Sequence, residues 1–561
     1  MRKWLIVSLI ILIFICFVVF RIVLPLQSTF TENGVQFNTP DAYYMARYAE
    51  VYPNIPELDY FFGYPDGMNP MPQMVFVALV ANVSHLLNID VMTSAAIIPP
   101  ILMLFALIAV FVICRALFKN ILIALVSVFI LTIMSGEIMA RTMLGAADYH
   151  CLEIALFTIS VMFVVMAVKS RNNWKWCVSY SVLAAIAIVD YMFAWAGGIM
   201  VIFIIGLFLL IWASVKLKWW HNLIIIIGLA VACAGYYLGN TPRFMYYIHN
   251  FIDVFVPNIG TVVSEEMPLF FTAGRFDFVP MWNYFGITFY LALFGLGFLI
   301  HNYKKYRKPE ILLLLVWTVV ILAMTFAQRR FAYYLGVNVA IIVAYIMVLV
   351  LSKIKTQATV IKASVGLFLV IVVPFARMDV VMADYGRMPK EWQECTAWLK
   401  QQANQPQYIE FGGVKVVVDT FAMIEGTNNY RAYMRGDKPD YGVLSWWDYG
   451  NWIIVAGRTP ALGTPINQDF GIASGILTET DTTEAIDKLK ELQLRYVIIT
   501  DEMFEGELYP IYPILIAAKI DVDMAVFEDM LMYRLFYSND VEGVGRVWQS
   551  GNYKVKVFEV K

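Results

Sequence analysis

Charge is scarce in this sequence: Asp, Glu, Lys and Arg make up 15% of its 561 residues against 60% hydrophobic residues, and the two signs nearly cancel at a net charge of -2. A soluble domain keeps roughly a quarter of its residues charged, so this chain is an integral membrane protein. The balance of signs leaves no basic field, which excludes nucleic acid as a partner. Histidine is scarcer still, with five in the chain, and no Cys/His spacing suits zinc. Of the six cysteines, Cys16, Cys114, Cys177 and Cys233 lie in or beside apolar runs and Cys151 opens another. Only Cys395 falls in the polar C-terminal part, which therefore cannot hold an internal disulfide. Repeats and low-complexity tracts are also lacking.

Long apolar runs are what the chain has instead. The first, over 4–25, follows Met1-Arg2-Lys3, is too long for a signal peptide and lacks a small-residue cleavage site, so it reads as an uncleaved span. Ten more lie near 93–114, 120–136, 152–168, 177–195, 198–215, 221–239, 283–301, 310–327, 332–352 and 358–376, lengths close to the ~20 residues a bilayer demands. If each crosses once, the basic clusters Arg2/Lys3, Arg115/Lys119, Lys169/Arg171/Lys175, Lys216/Lys218, Lys304/Lys305/Arg307/Lys308 and Lys353/Lys355 share one face. The positive-inside rule makes that face cytoplasmic. Counting the apolar segment 71–89 as a crossing would break the pattern, so it reads as re-entrant or interfacial. The expectation is a multi-spanning α-helical domain over 1–379, with outer loops 26–70, 137–150 and 240–282, and an extracytoplasmic domain over 380–561.

In that second domain charge rises after Met378, and β-rich runs at 414–419, 441–446 and 496–500 alternate with helical patterns. Thr482 to Leu494 places Ile486, Leu489 and Leu492 on one face between charged residues, an amphipathic helix feeding a strand over 495–500. An α/β globular domain is therefore expected. Within it stands Trp446-Trp447-Asp448-Tyr449-Gly450. Two indole N–H donors beside a carboxylate acceptor are what a site for one hydroxyl needs, although a Trp pair alone is more often packing. Ser445, three residues before Asp448, suggests a capping-box variant that starts a helix directly after a strand.

Each outer loop carries an ionisable residue. Asp41 follows Pro40, where an isolated Asp is usually a cap or turn residue. Asp148 and His150 stand at the mouth of the span near 152–168 and could chelate one cation where the chain is not yet helical. Glu265 and Glu266 lie in the long loop 240–282, and Arg329-Arg330 lies at a membrane edge.

The WWDYG run resembles that of the catalytic subunit of asparagine-linked oligosaccharyltransferases, of the single-subunit archaeal or bacterial type. The order of the other elements is similar to that family over essentially the whole chain. Through this resemblance Asp41 would contact both metal and acceptor amide. Arg141 to His150 would be the second acidic motif in an Asp-x-His form, making Asp41, Asp148 and His150 the metal ligands. Glu265, preferred over Glu266 from the position of Pro268, would be the second carboxylate on the amide. Arg330, with Arg329 nearby, would hold the donor pyrophosphate, and Trp446, Trp447, Asp448 and Ile511 would read the acceptor Ser/Thr. The family's thirteen spans imply two crossings beyond the eleven counted.

The implied reaction moves a glycan from a polyprenyl-linked donor to Asn in Asn-x-Ser/Thr of an acceptor polypeptide. An amide nitrogen is a poor nucleophile, its lone pair delocalised to the extent of a ~18–20 kcal/mol rotation barrier. Asp41 and Glu265 could accept both its N–H bonds. Carboxylates with one imidazole suit Mn²⁺ or Mg²⁺. Two other readings are a lipid-donor transferase acting on a Ser/Thr hydroxyl or a lipid, and a transporter or sensor with an outer domain. The latter would carry ionisable residues inside its spans, for which Glu153 and Asp190 are candidates.

Overall fold

The computed structural model describes residues 3–561 apart from 71–72, the greater part of 214–263, 273–274, 404–407, 412–413, 418–431, 434, 466–469, most of 505–523 and 540. Packing divides the chain into two units: Met1–Val35, Gln73–Leu79 and Asn88–Tyr385 form the first, and Gln36–Pro72, Val80–Leu87 and Gly386–Lys561 the second. The segment after the first span, assigned from sequence to an outer loop of the membrane domain, thus groups from Gln36 onward with the C-terminal part.

The first unit is helical. Among the described residues seven helices are long and apolar enough to cross a membrane: Ile6–Thr29, Val91–Phe118, His150–Lys169, Trp174–Ala194, Pro309–Ala327, Arg329–Leu351 and Ala358–Asp384. An eighth results if Val279–Phe285 and Ile287–Lys305, bent by 79° at Gly286, are one span. This corrects the count of eleven. Two of the runs counted from hydropathy form helices of only 13 and 15 residues, Ile121–Ile133 and Ile199–Ala213, and 221–239 lies largely outside the described residues. Segment 71–89 yields the 14-residue helix Met74–Leu87, about 21 Å long at ~1.5 Å per residue and short of a bilayer.

Local chemistry sets these lengths. Asp90 and Asn120 cap the helices that follow them, accepting from Thr93 N and Leu122 N at 2.9 Å each. Ile121–Ile133 stops because Arg21, fully buried in the first span, donates to the Met134 and Leu131 carbonyls at 3.0 and 3.4 Å. Those carbonyls would otherwise be unsatisfied at the helix end. Two residues on, Gly136 has φ +64°, and a Cβ there would sit 2.7 Å from Tyr284 Cα.

A mixed four-stranded sheet organises the second unit, in the order Gly442–Leu444, Leu494–Thr500, Val555–Val560, Val544–Gln549; the first pair is parallel and the others antiparallel. Helices Lys390–Ala403, Gly450–Val455, Phe470–Leu477 and Thr482–Glu491 accompany it, the last capped by Asp481. The amphipathic helix and its strand are thus found where expected. The segment 36–72 is stitched to this unit through its backbone, Ala461 N donating to Phe61 O at 3.2 Å. Side chains add to this. Helix Pro40–Val51 presents Arg47, buried beneath Tyr433 at 4.0 Å, to Asp59 in a two-pronged pair at 2.9 and 3.1 Å. Asp59 is fully buried and also accepts from Tyr48 Oη and Phe61 N. Three residues further along the helix, Glu50 accepts from both Nη atoms of Arg458 at 2.8 and 3.0 Å.

A buried pair of this kind gains little over an apolar pair but is costly to break on one side. Arg47→Met is expected to destabilise the second unit by about 3–5 kcal/mol, and Arg47→Met/Asp59→Leu to recover most of that loss. Thermal and denaturant unfolding in detergent measures both; equal losses in the single and double variants would contradict the account.

Candidate functional site

In the first unit, the ionisable residues around the mouth of helix His150–Lys169 form one connected cluster. Asp148 lies in the bend just before that helix, and its Oδ2 is 3.5 Å from His150 Nε2 in the first turn. Asp148 Oδ1 is buried without a hydrogen-bond partner. Burial holds this carboxyl above its ordinary range, opposed by His150 and Arg141.

Arg141, on the short helix Glu137–Thr142, bridges three carboxylates: Glu137 at 3.2 Å, Asp148 at 3.2 Å and Glu265 at 2.8 Å. Arg330 Nη2 donates to the other oxygen of Glu265 at 2.6 Å and lies 3.6 Å from Glu266. Of the two glutamates it is therefore Glu265 that is held between both guanidinium groups. Burial would raise its pKa, but Arg330, then Arg141 and His150, hold it well below the usual carboxylate range. Glu265 thus remains an ionised acceptor in direct contact with a guanidinium fork, a group whose geometry suits phosphate. Arg329 is committed elsewhere, donating to Phe271 O and to Thr272 Oγ1, and so braces the strand pair formed by Phe271–Thr272 and Arg275–Phe276.

In the second unit, Asp41 occupies the first turn of helix Pro40–Val51, where its charge complements the helix dipole. That helix packs on the one following the WWD run, with Asn451 Nδ2 donating to Pro40 O at 3.1 Å. The run itself leaves strand Gly442–Leu444, makes a 3₁₀ turn over Trp447–Tyr449 and enters helix Gly450–Val455. A helix does start directly after the strand, but without a Ser445 cap: Ser445 Oγ donates to Ile498 O at 2.9 Å, across to the neighbouring strand. Gly450 is required for space, since a Cβ there would meet Gly463 O at 2.1 Å.

Trp446 is 1% exposed, so the Trp pair is not presented to water as a whole. Its indole Nε1 donates to Asp448 Oδ2 at 3.0 Å, and its ring lies 4.4 Å from that of Trp447. Burial lifts Asp448 to about 6, while hydrogen bonds from Trp446 and Trp447 oppose the shift. Behind the run Tyr449 stacks on Trp392 at 4.4 Å and donates to Glu502 at 3.0 Å, which fixes the turn. The arrangement is a carboxylate held ready by indole donors. Ile511, Val262 and much of loop 240–282 lie outside the described residues.

A divalent cation can be tested against these side chains. Among the described residues no three His, Cys, Asp or Glu side chains gather as a metal-binding group. Asp148 and His150 nevertheless fit as two ligands, converging with one buried carboxylate oxygen unsatisfied. Sequence reasoning missed Arg141 as a partner, although it opens the quoted acidic motif, and missed Tyr333 and Tyr334, whose hydroxyls donate to Glu153 at 2.8 and 2.7 Å. A basic residue seven positions before Asp148 in apolar surroundings was the available signal for the first.

Comparison with known proteins follows the same lines. Residues 389–504 match the AglB core domain. Two curated relatives from Archaeoglobus fulgidus, named dolichyl-phosphooligosaccharide-protein glycotransferase 3 and 1, are each 23% identical to this chain. The first alignment covers 87% of this chain and 68% of the relative, the second 94% and 95%. The crystal structure of the oligosaccharyltransferase from the same organism in its apo form has a TM-score of 0.80 at 18% identity, covering 98% of this chain and 80% of that one. A weaker likeness, TM-score 0.51 at 10% identity over 100% and 98% of the chains, is to ArnT from Cupriavidus metallidurans bound to undecaprenyl phosphate. The domain match, the long alignments and the shared fold bear out the resemblance carried by the WWDYG run: residues 389–504 match the AglB core domain, and the chain as a whole is similar to archaeal oligosaccharyltransferases.

Proposed function

We propose that this chain transfers a glycan from a polyprenyl-phosphate or pyrophosphate lipid to the side-chain amide of Asn in an Asn-x-Ser/Thr acceptor. The observation that carries the proposal is Glu265 ionised in contact with Arg330. Glycosyl transfer from a lipid phosphate needs an acceptor for the nucleophile's N–H and a cation for the departing phosphate, and this pair supplies both. Names of similar proteins agree: dolichyl-phosphooligosaccharide-protein glycotransferases in sequence, and in structure an archaeal oligosaccharyltransferase in complex with an inhibitory peptide and a dolichol-phosphate. The same A. fulgidus protein has also been seen tethered with an acceptor peptide containing the NVT sequon.

Asp41 and Glu265 accept the two amide N–H bonds and so localise the nitrogen lone pair. Arg330 binds the phosphate that leaves. Asp148 and His150, with Asp41, would hold a divalent cation, Mn²⁺ or Mg²⁺, whose chemistry is to neutralise phosphate charge. Trp446, Trp447 and Asp448 read the Ser/Thr hydroxyl, with Ile511 against the Thr methyl. We further place the N-terminus on the cytoplasmic side and the C-terminal unit outside, from the one-sided distribution of Lys and Arg. A transferase acting on a Ser/Thr hydroxyl or a lipid has no use for a hydroxyl-reading site.

Two outcomes test the proposal. Excess chelator should abolish turnover and Mn²⁺ should restore it at least as well as Mg²⁺. The Asp148→Ala/His150→Ala variant should lose roughly 10²-fold or more in rate; full activity of either preparation would contradict the metal assignment.

Recognition of the hydroxyl gives a sharper readout. Wild type should bind an Asn-x-Thr peptide far better than Asn-x-Val, because the unpaired analogue strands buried polar groups. Asp448→Ala should erase that preference while leaving donor-lipid binding intact. Asp448 is a charged acceptor above about pH 6 and a neutral acid below it. Peptide affinity should therefore fall as pH drops through about 6 in wild type and stay flat in Asp448→Asn. Equal discrimination by the Asp448→Ala variant would make the run a packing element.

A further inference from the structure

Glu153 is fully buried one helical turn inside the membrane unit, and no step above uses it. Its Oε2 lies 3.2 Å from His150 Nδ1 and accepts from the hydroxyls of Tyr333 at 2.8 Å and Tyr334 at 2.7 Å. Tyr334 is in turn hydrogen-bonded to Tyr191. The Tyr333 oxygen also lies 3.3 Å from His150 Nδ1. A phenol has one proton, and Tyr333 spends it on Glu153. The hydrogen between His150 and this group of oxygens must then come from Nδ1. With Nδ1 turned to Glu153, Nε2 is the atom presented to Asp148, 3.5 Å from its Oδ2. Asp148 Oδ2 accepts from Arg141 at 3.2 Å, while Asp148 Oδ1 on the same carboxylate is buried without a partner.

We propose that Glu153 is a positioning residue that fixes the tautomer and ring orientation of His150, so that Nε2 is offered with Asp148 to a divalent cation. The proposal rests on the metal reading above. A carboxylate behind a ligating imidazole holds the ring and raises its basicity, and losing such a partner weakens metal binding by about 10–100-fold. The spacing is why residue 153 serves: i and i+3 on a helix lie on one face, so a Glu at this position reaches back to the His at the helix start. The two tyrosines donate to the same Oε2 and so hold the side chain in place against the imidazole.

Mn²⁺ titrated into full-length detergent-purified protein, with free Mn²⁺ read by electron paramagnetic resonance, tests this without any turnover measurement. Glu153→Gln, the same size but uncharged, is expected to bind Mn²⁺ about 10–100-fold more weakly than wild type. Tyr333→Phe/Tyr334→Phe removes the same two hydroxyl bonds but leaves the carboxylate on Nδ1. It is expected to lower the unfolding temperature while keeping Mn²⁺ affinity close to wild type, and this arm stands even if Glu153→Gln does not fold. Wild-type affinity in folded Glu153→Gln overturns the proposal, as does a tenfold loss in the double tyrosine variant, which would mean affinity follows packing. Absence of Mn²⁺ binding by wild type itself would overturn the metal reading and this proposal with it.

Discussion

Glu265 stays ionised because Arg330 and Arg141 each donate to a different oxygen of its carboxylate, and the membrane unit's charged cluster depends on that double clamp. Without the arginines, partial burial alone would raise the pKa of this carboxylate and weaken it as an acceptor. Without the carboxylate two guanidinium groups would stand close together with their charges uncompensated. Arg141 extends the clamp to Asp148, so the position of the acidic motif is tied to that of the loop carrying Glu265. Charge neutralisation within the cluster is what allows so many ionisable groups to collect at the edge of an apolar unit.

The second unit solves a different problem, holding one carboxylate of raised pKa against two indoles. Trp446 is buried and Asp448 is engaged by indole donors, so the proposed acceptor site is held in place by the protein's own contacts. Its rigidity comes from behind: the Tyr449–Trp392 stack, the Tyr449 bond to Glu502 and the close approach of Gly450 to Gly463 leave the turn little freedom. Preorganisation of this kind favours discrimination, because an acceptor hydroxyl meets groups already in place, whereas an acceptor without one covers them and leaves their remaining hydrogen-bonding capacity unpaired.

What the sequence made legible follows from how local the signal was. Apolar runs announced the helices, and the pairing of Asp148 with His150 could be read because both residues fall within one turn. Helix lengths could not be read from hydropathy: Ile121–Ile133 ends where Arg21, 110 or more residues away, takes its carbonyls. Arg141 reaches Glu265 across 124 positions and Tyr333 reaches Glu153 across 180, so no local window contains either contact. The same holds for the segment from Gln36, which looks like a loop after a span until Phe61 and Arg47 meet Ala461 and Tyr433. The Ser445 cap was expected from a local pattern that the neighbouring strand's carbonyl outcompeted.

The central claim is that an amide nitrogen, and not a hydroxyl, receives the glycan. A peptide containing one Asn-x-Thr should be incubated with the purified protein, Mn²⁺ and a membrane lipid extract, and the modified residue located by fragmentation mass spectrometry. The account predicts a glycan on the Asn side chain, with the Thr unmodified. A glycan on the Thr hydroxyl, or transfer to a peptide in which Asn is replaced by Ala, would contradict it.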